Sequence, residues 1–274
     1  MTVVGVDAGG TGSRAVVVRD GAVVERRDLG PLNVLLHADA VDRLAALLTD
    51  VQATAAGLGL AGLRSSEHAE QLAAELAART RARIAVGDDT DAALAGAFRG
   101  EPGVVVIAGT GSGAAGRDAA GRQARVGGHG FLLGDEGGGY WIGREAVRAA
   151  LRAQDGTGPA TALRAMTDEA FRSVEREVHE RPTDRQLLAR LVPGVALAAR
   201  AGDGEAGRIL AEAARHLVEL AEAVRARLGA RDLPVAGAGG IFRCAPVRAA
   251  FTAATGAVPP AEPPELGALR LLDR

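Results

Sequence analysis

Two glycine turns in this chain each follow an apolar run: Asp7-Ala8-Gly9-Gly10-Thr11-Gly12 and Gly109-Thr110-Gly111-Ser112-Gly113. Glycines there leave no side chain in the way of an approaching phosphate, and successive backbone N–H groups make an anion-binding concavity. The flanks repeat as well. Gly10-Thr11-Gly12-Ser13 overlays Gly109-Thr110-Gly111-Ser112, and each is followed by a small-residue strand, a tight turn and a third strand. Such a repeat suggests a duplicated domain with a ligand held by two phosphate-facing loops. Only the first copy carries a carboxylate, Asp7, at the end of its strand. Bare phosphate would be repelled by it, so Mg²⁺ joining the two is the natural chemistry; the plainer alternative is an Asp capping its own turn.

Three further clusters could carry chemistry. Gly87-Asp88-Asp89-Thr90-Asp91 places three carboxylates at a strand-to-helix junction. A helix cap uses one; another could take a proton from a hydroxyl attacking a phosphate. The stretch 127–141, GGHGFLLGDEGGGYW, gathers seven glycines with the only Tyr and the only Trp. His129 there has no second His or Cys beside it, which argues against a metal site; His129 and Asp135 suit hydrogen bonding to a polyol. Tyr140 and Trp141 read as core anchors for the helix that follows. Gly237-Ala238-Gly239-Gly240 ends a strand and opens a helix, where a nucleotide could lie against backbone donors.

Composition removes several alternatives. All 32 basic residues are arginine, so a phosphate loop ending in Gly-Lys and a lysine Schiff base are both excluded. The single Cys244 excludes a disulfide scaffold, a four-cysteine zinc site and an iron–sulfur cluster within one chain. A net charge of −2 with no basic block speaks against nucleic acid, and no apolar run reaches the ~20 residues of a membrane span. The N-terminus runs into a strand, so a cytoplasmic protein is expected.

The elements that must position these residues follow from period and punctuation. Residues 3–6 read as a buried strand, and 14–19 and 22–27 as a hairpin turning at Asp20-Gly21. A helix over about 40–51, a strand at 55–61, a helix at 65–79 opened by Ser65 and a strand at 84–86 lead to the acidic junction. The RGEPG break at 99–103 separates an N-terminal domain, 1–100, from a C-terminal one, 101–274. The latter holds a helical region at about 144–229, and its last helix is free to pack back on the first domain. Gly111 to Gly116 matches GxGxxG, but a strand and not a helix follows, which excludes a dinucleotide fold. Meanders mixed with crossover helices give an α/β fold.

In that order, GVDAGGTGSRAVV, GDDTDAALAGAF, VVVIAGTGSGAAGR, GGHGFLLGDEGGGYWIGREA and PVAGAGGIF resemble the BadF/BadG/BcrA/BcrD ATPase family, which includes N-acetylglucosamine kinases of the sugar kinase–Hsp70–actin fold. The resemblance implies two ribonuclease-H-like domains with an interdomain cleft for ATP, Mg²⁺ and a small-molecule amino sugar. It implies no nucleic acid or membrane partner, and is compatible with a homodimer. It puts Asp7 at the metal, Gly9, Gly10, Thr11, Thr110, Gly111, Ser112, Gly239 and Gly240 at ATP, and Asp89 at the catalytic base. Asn33, Gly128, His129 and Asp135, with Asp89, fall at the sugar. His129 replaces an aromatic and Asp88 an Asn of the family pattern. The expected activity is phosphorylation of the 6-hydroxyl of N-acetylglucosamine. The alternatives are a glucosamine kinase, with Asp88 or Asp91 facing the amine, and a non-sugar ATPase or activator.

Overall fold

The computed structural model describes residues 1–165 and 176–273, so 166–175 of the expected helical region lies outside the described residues. The chain divides into two compact units: Met1–Gly103 with the chain from Pro259 on, and Val104–Val258. Residues from 259 on thus pack with the first unit rather than with the C-terminal stretch that precedes them.

In the first unit, β1 (Thr2–Ala8), β2 (Ser13–Arg19) and β3 (Ala22–Asp28) form the meander. It turns at Asp20 and Gly21, both at positive φ. Helix α1 (Ala40–Asp50), β4 (Ala55–Leu60), α2 (Ser66–Thr80), β5 (Arg83–Asp88) and α3 (Asp89–Phe98) follow. The sheet runs β3-β2-β1-β4-β5, with β1, β4 and β5 parallel. Ser65 caps α2 by accepting the His68 N–H at 3.1 Å. Asp39 stands before α1 but makes no side-chain cap.

Strand alternation divides this sheet into two unlike faces. Val4, Val6 and Ala8 of β1 and Ala56, Leu58 and Leu60 of β4 enter an aliphatic core with Leu44, Leu48, Leu72 and Leu76 of α1 and α2. The residues between them are Gly5, Asp7, Gly57 and Gly59. Gly5 pairs with Gly57 and Gly57 with Ala85, so a row without bulky side chains crosses three strands. The C-terminal helix, Pro264–Leu269, lies on that row. A Cβ added to Gly5 would stand 2.0 Å from the Glu265 carbonyl oxygen, and one on Gly57 1.9 Å from that of Ala268. The apolar run of β1 is therefore covered on both sides, by side chains on one and by helix backbone on the other.

The second unit repeats the strand pattern: β6 (Gly103–Ala108), β7 (Ser112–Arg117), β8 (Gln123–Gly127) and β9 (Val235–Ala238) in the order β8-β7-β6-β9. β6 and β9 are parallel, as β1 and β4 are. That correspondence is the architectural form of the sequence repeat, and β7 occupies the place where a dinucleotide fold would need a helix. Helix α4 (Gly139–Gln154) and the long helix Gly204–Leu228 supply Trp141, Ile142, Ala146, Leu210, Leu217 and Val224 to the core. Trp141 is buried, edge-on to His216 at 5.3 Å, and Tyr140 packs edge-on to Phe131 at 4.9 Å. Trp141 anchors helix α4 in the core as expected, whereas Tyr140 is half-buried and lies outside that cluster. After β9 the backbone makes a short 3-10 turn, Gly240–Arg243, and the helix proper begins at Ala245, not at Gly239-Gly240.

Candidate functional site

Asp7 stands at the end of β1 on the glycine-lined face. Its antiparallel partner is Arg14, and its parallel partner is Gly59. The loop that follows is closed on itself: Ser13 Oγ accepts the Gly9 N–H at 3.2 Å and donates back to the Gly9 carbonyl. The Gly9 carbonyl also accepts the Leu32 N–H at 3.0 Å, which ties the loop to the Asn33 segment. Asn33 Oδ1 is occupied by the N–H groups of Leu35 and Leu36, at 2.9 and 3.2 Å. Its amide nitrogen is therefore the end turned toward Gly10, 3.9 Å from where a Cβ on that glycine would stand.

The acidic junction sorts its three carboxylates by role. Asp88 caps α3, accepting the Thr90 N–H at 2.8 Å and the Thr90 hydroxyl, while Asp91 returns a bond to the Asp88 N–H at 3.4 Å. This is a reciprocal capping box. Asp89 makes neither of the box's two bonds, though its carboxyl shares a hydrogen bond with that of Asp88. Gly59 lets the start of α3 lie close, since a Cβ there would stand 2.4 Å from the Ala92 Cβ. Burial, then the charge of Asp88 and a hydrogen bond with its side chain, then the charge of Asp7 push the Asp89 carboxyl up to about 8. Burial and the charge of Glu265 raise Asp7 to about 6, with Arg14 opposing. The charge of Asp7 thus reaches Asp89, and this unit carries Asp7, Gly9–Thr11 and Asn33 at the end of β1 with Asp89 at the start of α3, after β5.

Among the described residues no three His, Cys, Asp or Glu side chains form a group that could hold a metal alone. A single carboxylate beside a glycine loop fits Mg²⁺ nonetheless, because that ion keeps most of its waters and shares one or two carboxylates with substrate phosphates.

The second unit builds its loop by a different device. The carbonyls of Gly109 and Thr110 accept the first N–H groups of α4, from Gly139 and Tyr140, at 2.8 and 2.9 Å. The helix start is therefore spent on holding the loop. Ser112 Oγ donates to the Glu136 carbonyl at 2.7 Å, and Gly128 N–H to the Ser112 carbonyl at 3.0 Å. Asp135, buried and at φ +64, accepts N–H bonds from Ser112 and Gly130, and burial raises its carboxyl above the usual range. Gly111 must be glycine for this: a Cβ would stand 2.3 Å from Asp135 Oδ2. The structure thus makes Asp135 the strap between Thr110–Ser112 and the segment carrying Gly128 and His129. Both Gly128 and His129 are exposed. Gly239, at φ +102, lies against the Ala108 carbonyl, 2.3 Å from its would-be Cβ.

Sequence reading missed Glu265 and Arg26. Glu265 is buried on the C-terminal helix and pairs with Arg26 of β3 at 2.8 Å. Only the run Pro259–Pro264 before it hinted that this segment was built to stop at a defined place.

The chain is similar to several sugar kinases in sequence and in fold. An N-acetylmuramic acid/N-acetylglucosamine kinase of Clostridium acetobutylicum is 38% identical over 147 residues, 52% of this chain and 48% of that protein. A glucosamine kinase of Vibrio cholerae is 32% identical over 173 residues, 58% of each chain. The match spans about half the length of these curated relatives. The structure of a candidate N-acetylglucosamine kinase from Chromobacterium violaceum superposes with a TM-score of 0.80 at 30% identity, covering 99% of this chain and 98% of that one. A ROK family glucokinase from Streptomyces griseus, at 19% identity and TM-score 0.63 over 100% and 98% of the two chains, shares the fold alone. Residues 4–262 match the BadF/BadG/BcrA/BcrD ATPase family, and the chain belongs to it.

Proposed function

We propose that the protein is an ATP-dependent kinase of an amino sugar, N-acetylglucosamine first, acting on the 6-hydroxyl. The observation that carries this reading is Asp89 itself, half-buried at the start of α3 beside a capping box whose two bonds are made by Asp88 and Asp91. A half-buried carboxylate with a raised pKa is suited to take a proton at the moment a hydroxyl attacks. The hydroxyl oxygen would form a bond to the γ-phosphorus, the bond to the bridging oxygen of ADP would break, and the hydroxyl proton would pass to Asp89. Mg²⁺ bound with ATP would neutralise phosphate charge beside Asp7, and the glycine loop that follows it would receive phosphate oxygens.

The acceptor follows from what each side chain has left to offer. A glucosamine amine would call for a spare carboxylate, and the two foreseen for it, Asp88 and Asp91, are engaged in the cap. Asn33 offers an N–H donor, which suits a hydroxyl or acetyl oxygen. An ADP-release screen over N-acetylglucosamine, glucosamine, N-acetylmannosamine, N-acetylmuramate and glucose tests this. Turnover dependent on N-acetylglucosamine is the expected result; slow ATP hydrolysis indifferent to every sugar would instead describe a switch-type ATPase.

Two outcomes follow for the carboxylates. Asp7→Asn should weaken Mg·ATP binding while sugar binding is retained, which calorimetry of each ligand separately will show. Because Asp89 must be ionised to accept a proton, kcat/KM should climb with pH toward about 8 in the free enzyme. A profile flat from pH 6 to 9 would assign proton transfer elsewhere.

A further inference from the structure

Glu265, on the C-terminal helix, lies outside the proposed catalytic groups. It is 4% exposed, and its Oε1 takes the Arg26 guanidinium at 2.8 Å. Its other oxygen, Oε2, is buried with no hydrogen-bond partner. A carboxylate oxygen left so is costly, and calls for a donor that arrives with a ligand. The register shows where it lies. Arg26 pairs with Val16, Val16 with Gly5, and the Glu265 backbone sits on Gly5. Asp7 is two residues along the same strand, on the same face, with Arg14 as its cross-strand partner. Glu265 and Asp7 thus share one face of the sheet, the Glu265 backbone lying on Gly5 and Asp7 standing two residues along.

Resting on the kinase reading, we propose that Glu265 is a positioning residue for the divalent cation, accepting a hydrogen bond through Oε2 from a water carried by the ion that Asp7 attracts. Arg26 holds Oε1 and so fixes the direction in which Oε2 is presented. The site then has two acidic contributors from distant parts of the chain, β1 and the C-terminal helix. It brings the last segment of the chain, otherwise a structural appendage of the first unit, into nucleotide use.

The test is Mn²⁺ binding in the presence of ADP, with free Mn²⁺ followed by electron paramagnetic resonance, on the whole chain. Glu265→Gln keeps the shape and one oxygen; it should weaken Mn²⁺ about tenfold, as loss of an outer partner to a metal does. Nucleotide affinity without metal should stay unchanged. Arg26→Gln separates this from a merely structural role, since it breaks the same ion pair but leaves the carboxylate. If Glu265 only anchors the helix, both variants lower the melting temperature alike and neither changes Mn²⁺ affinity; that result overturns the inference. Wild-type protein that fails to bind Mn²⁺ with ADP at all overturns the kinase reading itself.

Discussion

Asp89→Asn is expected to lower kcat by about 10²–10⁴-fold while leaving sugar affinity in place. The side chain keeps its shape and loses only the ability to accept the proton. The start of α3 should survive, because the cap is made by Asp88 and Asp91 and not by Asp89. A second measurement moves in the opposite direction. Folding holds a proton on Asp89 up to about 8, whereas the unfolded chain releases it near 3.8. Between those values the native state binds more protons, so this group's contribution to stability is full below the lower value and is lost as pH rises through the upper one. Asp89→Asn removes that loss. The variant should melt higher than wild type at pH 8 to 9, with the gap closing toward pH 4. Lower turnover together with higher alkaline stability would identify a charge kept buried for function. Turnover near wild type would show that some other group takes the proton. Asp88→Asn is the comparison: asparagine also caps, so its effect on stability should be small.

Most of what sets this site was legible because it is local. The hairpin at Asp20-Gly21 needs two residues able to take positive φ, and the chain supplies them in order. Ser65 and Asp88 cap the helices they precede, within three residues of the N–H groups they satisfy. That the junction holds more carboxylates than a cap needs was readable as well, but that the cap takes two of them, Asp88 and Asp91, was set by the capping geometry. What escaped was contact over long separations. Glu265 reaches Arg26 across 239 positions, and nothing within a window of twenty residues connects them. The start of the helix after β9 was misjudged for a related reason. Gly239 looked like a turn opening a helix, but its freedom is spent on lying against the Ala108 carbonyl of the parallel neighbour, so the backbone passes through a 3-10 turn first. Asp135 was expected to face a sugar, and its pairing with the Ser112 N–H could not be read from a loop whose conformation rests on glycines at positive φ.

Gly57→Ala should destabilise the first unit by about 3 kcal/mol or more, at the upper end of what overpacking costs, since the obstacle is backbone. Its Cβ would stand 1.9 Å from the Ala268 carbonyl oxygen and 2.7 Å from the carbonyl carbon, and neither can rotate away. The neighbouring contacts leave no room to yield: Gly267 of the same helix is pressed on α3, where its own Cβ would meet the Ala92 carbonyl at 2.1 Å and Gly96 N at 2.3 Å. One methyl group must therefore lift the C-terminal helix off both the sheet and α3, taking Leu271 and Ala268 out of their cluster with Ala92. At roughly 2–4 °C per kcal/mol for a chain of this size, the melting temperature should fall by about 6 °C or more. Gly207→Ala supplies the contrast. It is exposed within the long helix Gly204–Leu228, with nothing within 4 Å of the added carbon, and should gain about 0.5–1 kcal/mol from helix propensity. Two identical chemical changes are thus expected to move stability in opposite directions, and calorimetric melting of the pair decides it. Equal melting temperatures would mean that the C-terminal helix does not sit on the glycine row. The same displacement carries Glu265 with it, so Gly57→Ala should also weaken Mn²⁺ binding in whatever fraction remains folded, without any change to a carboxylate.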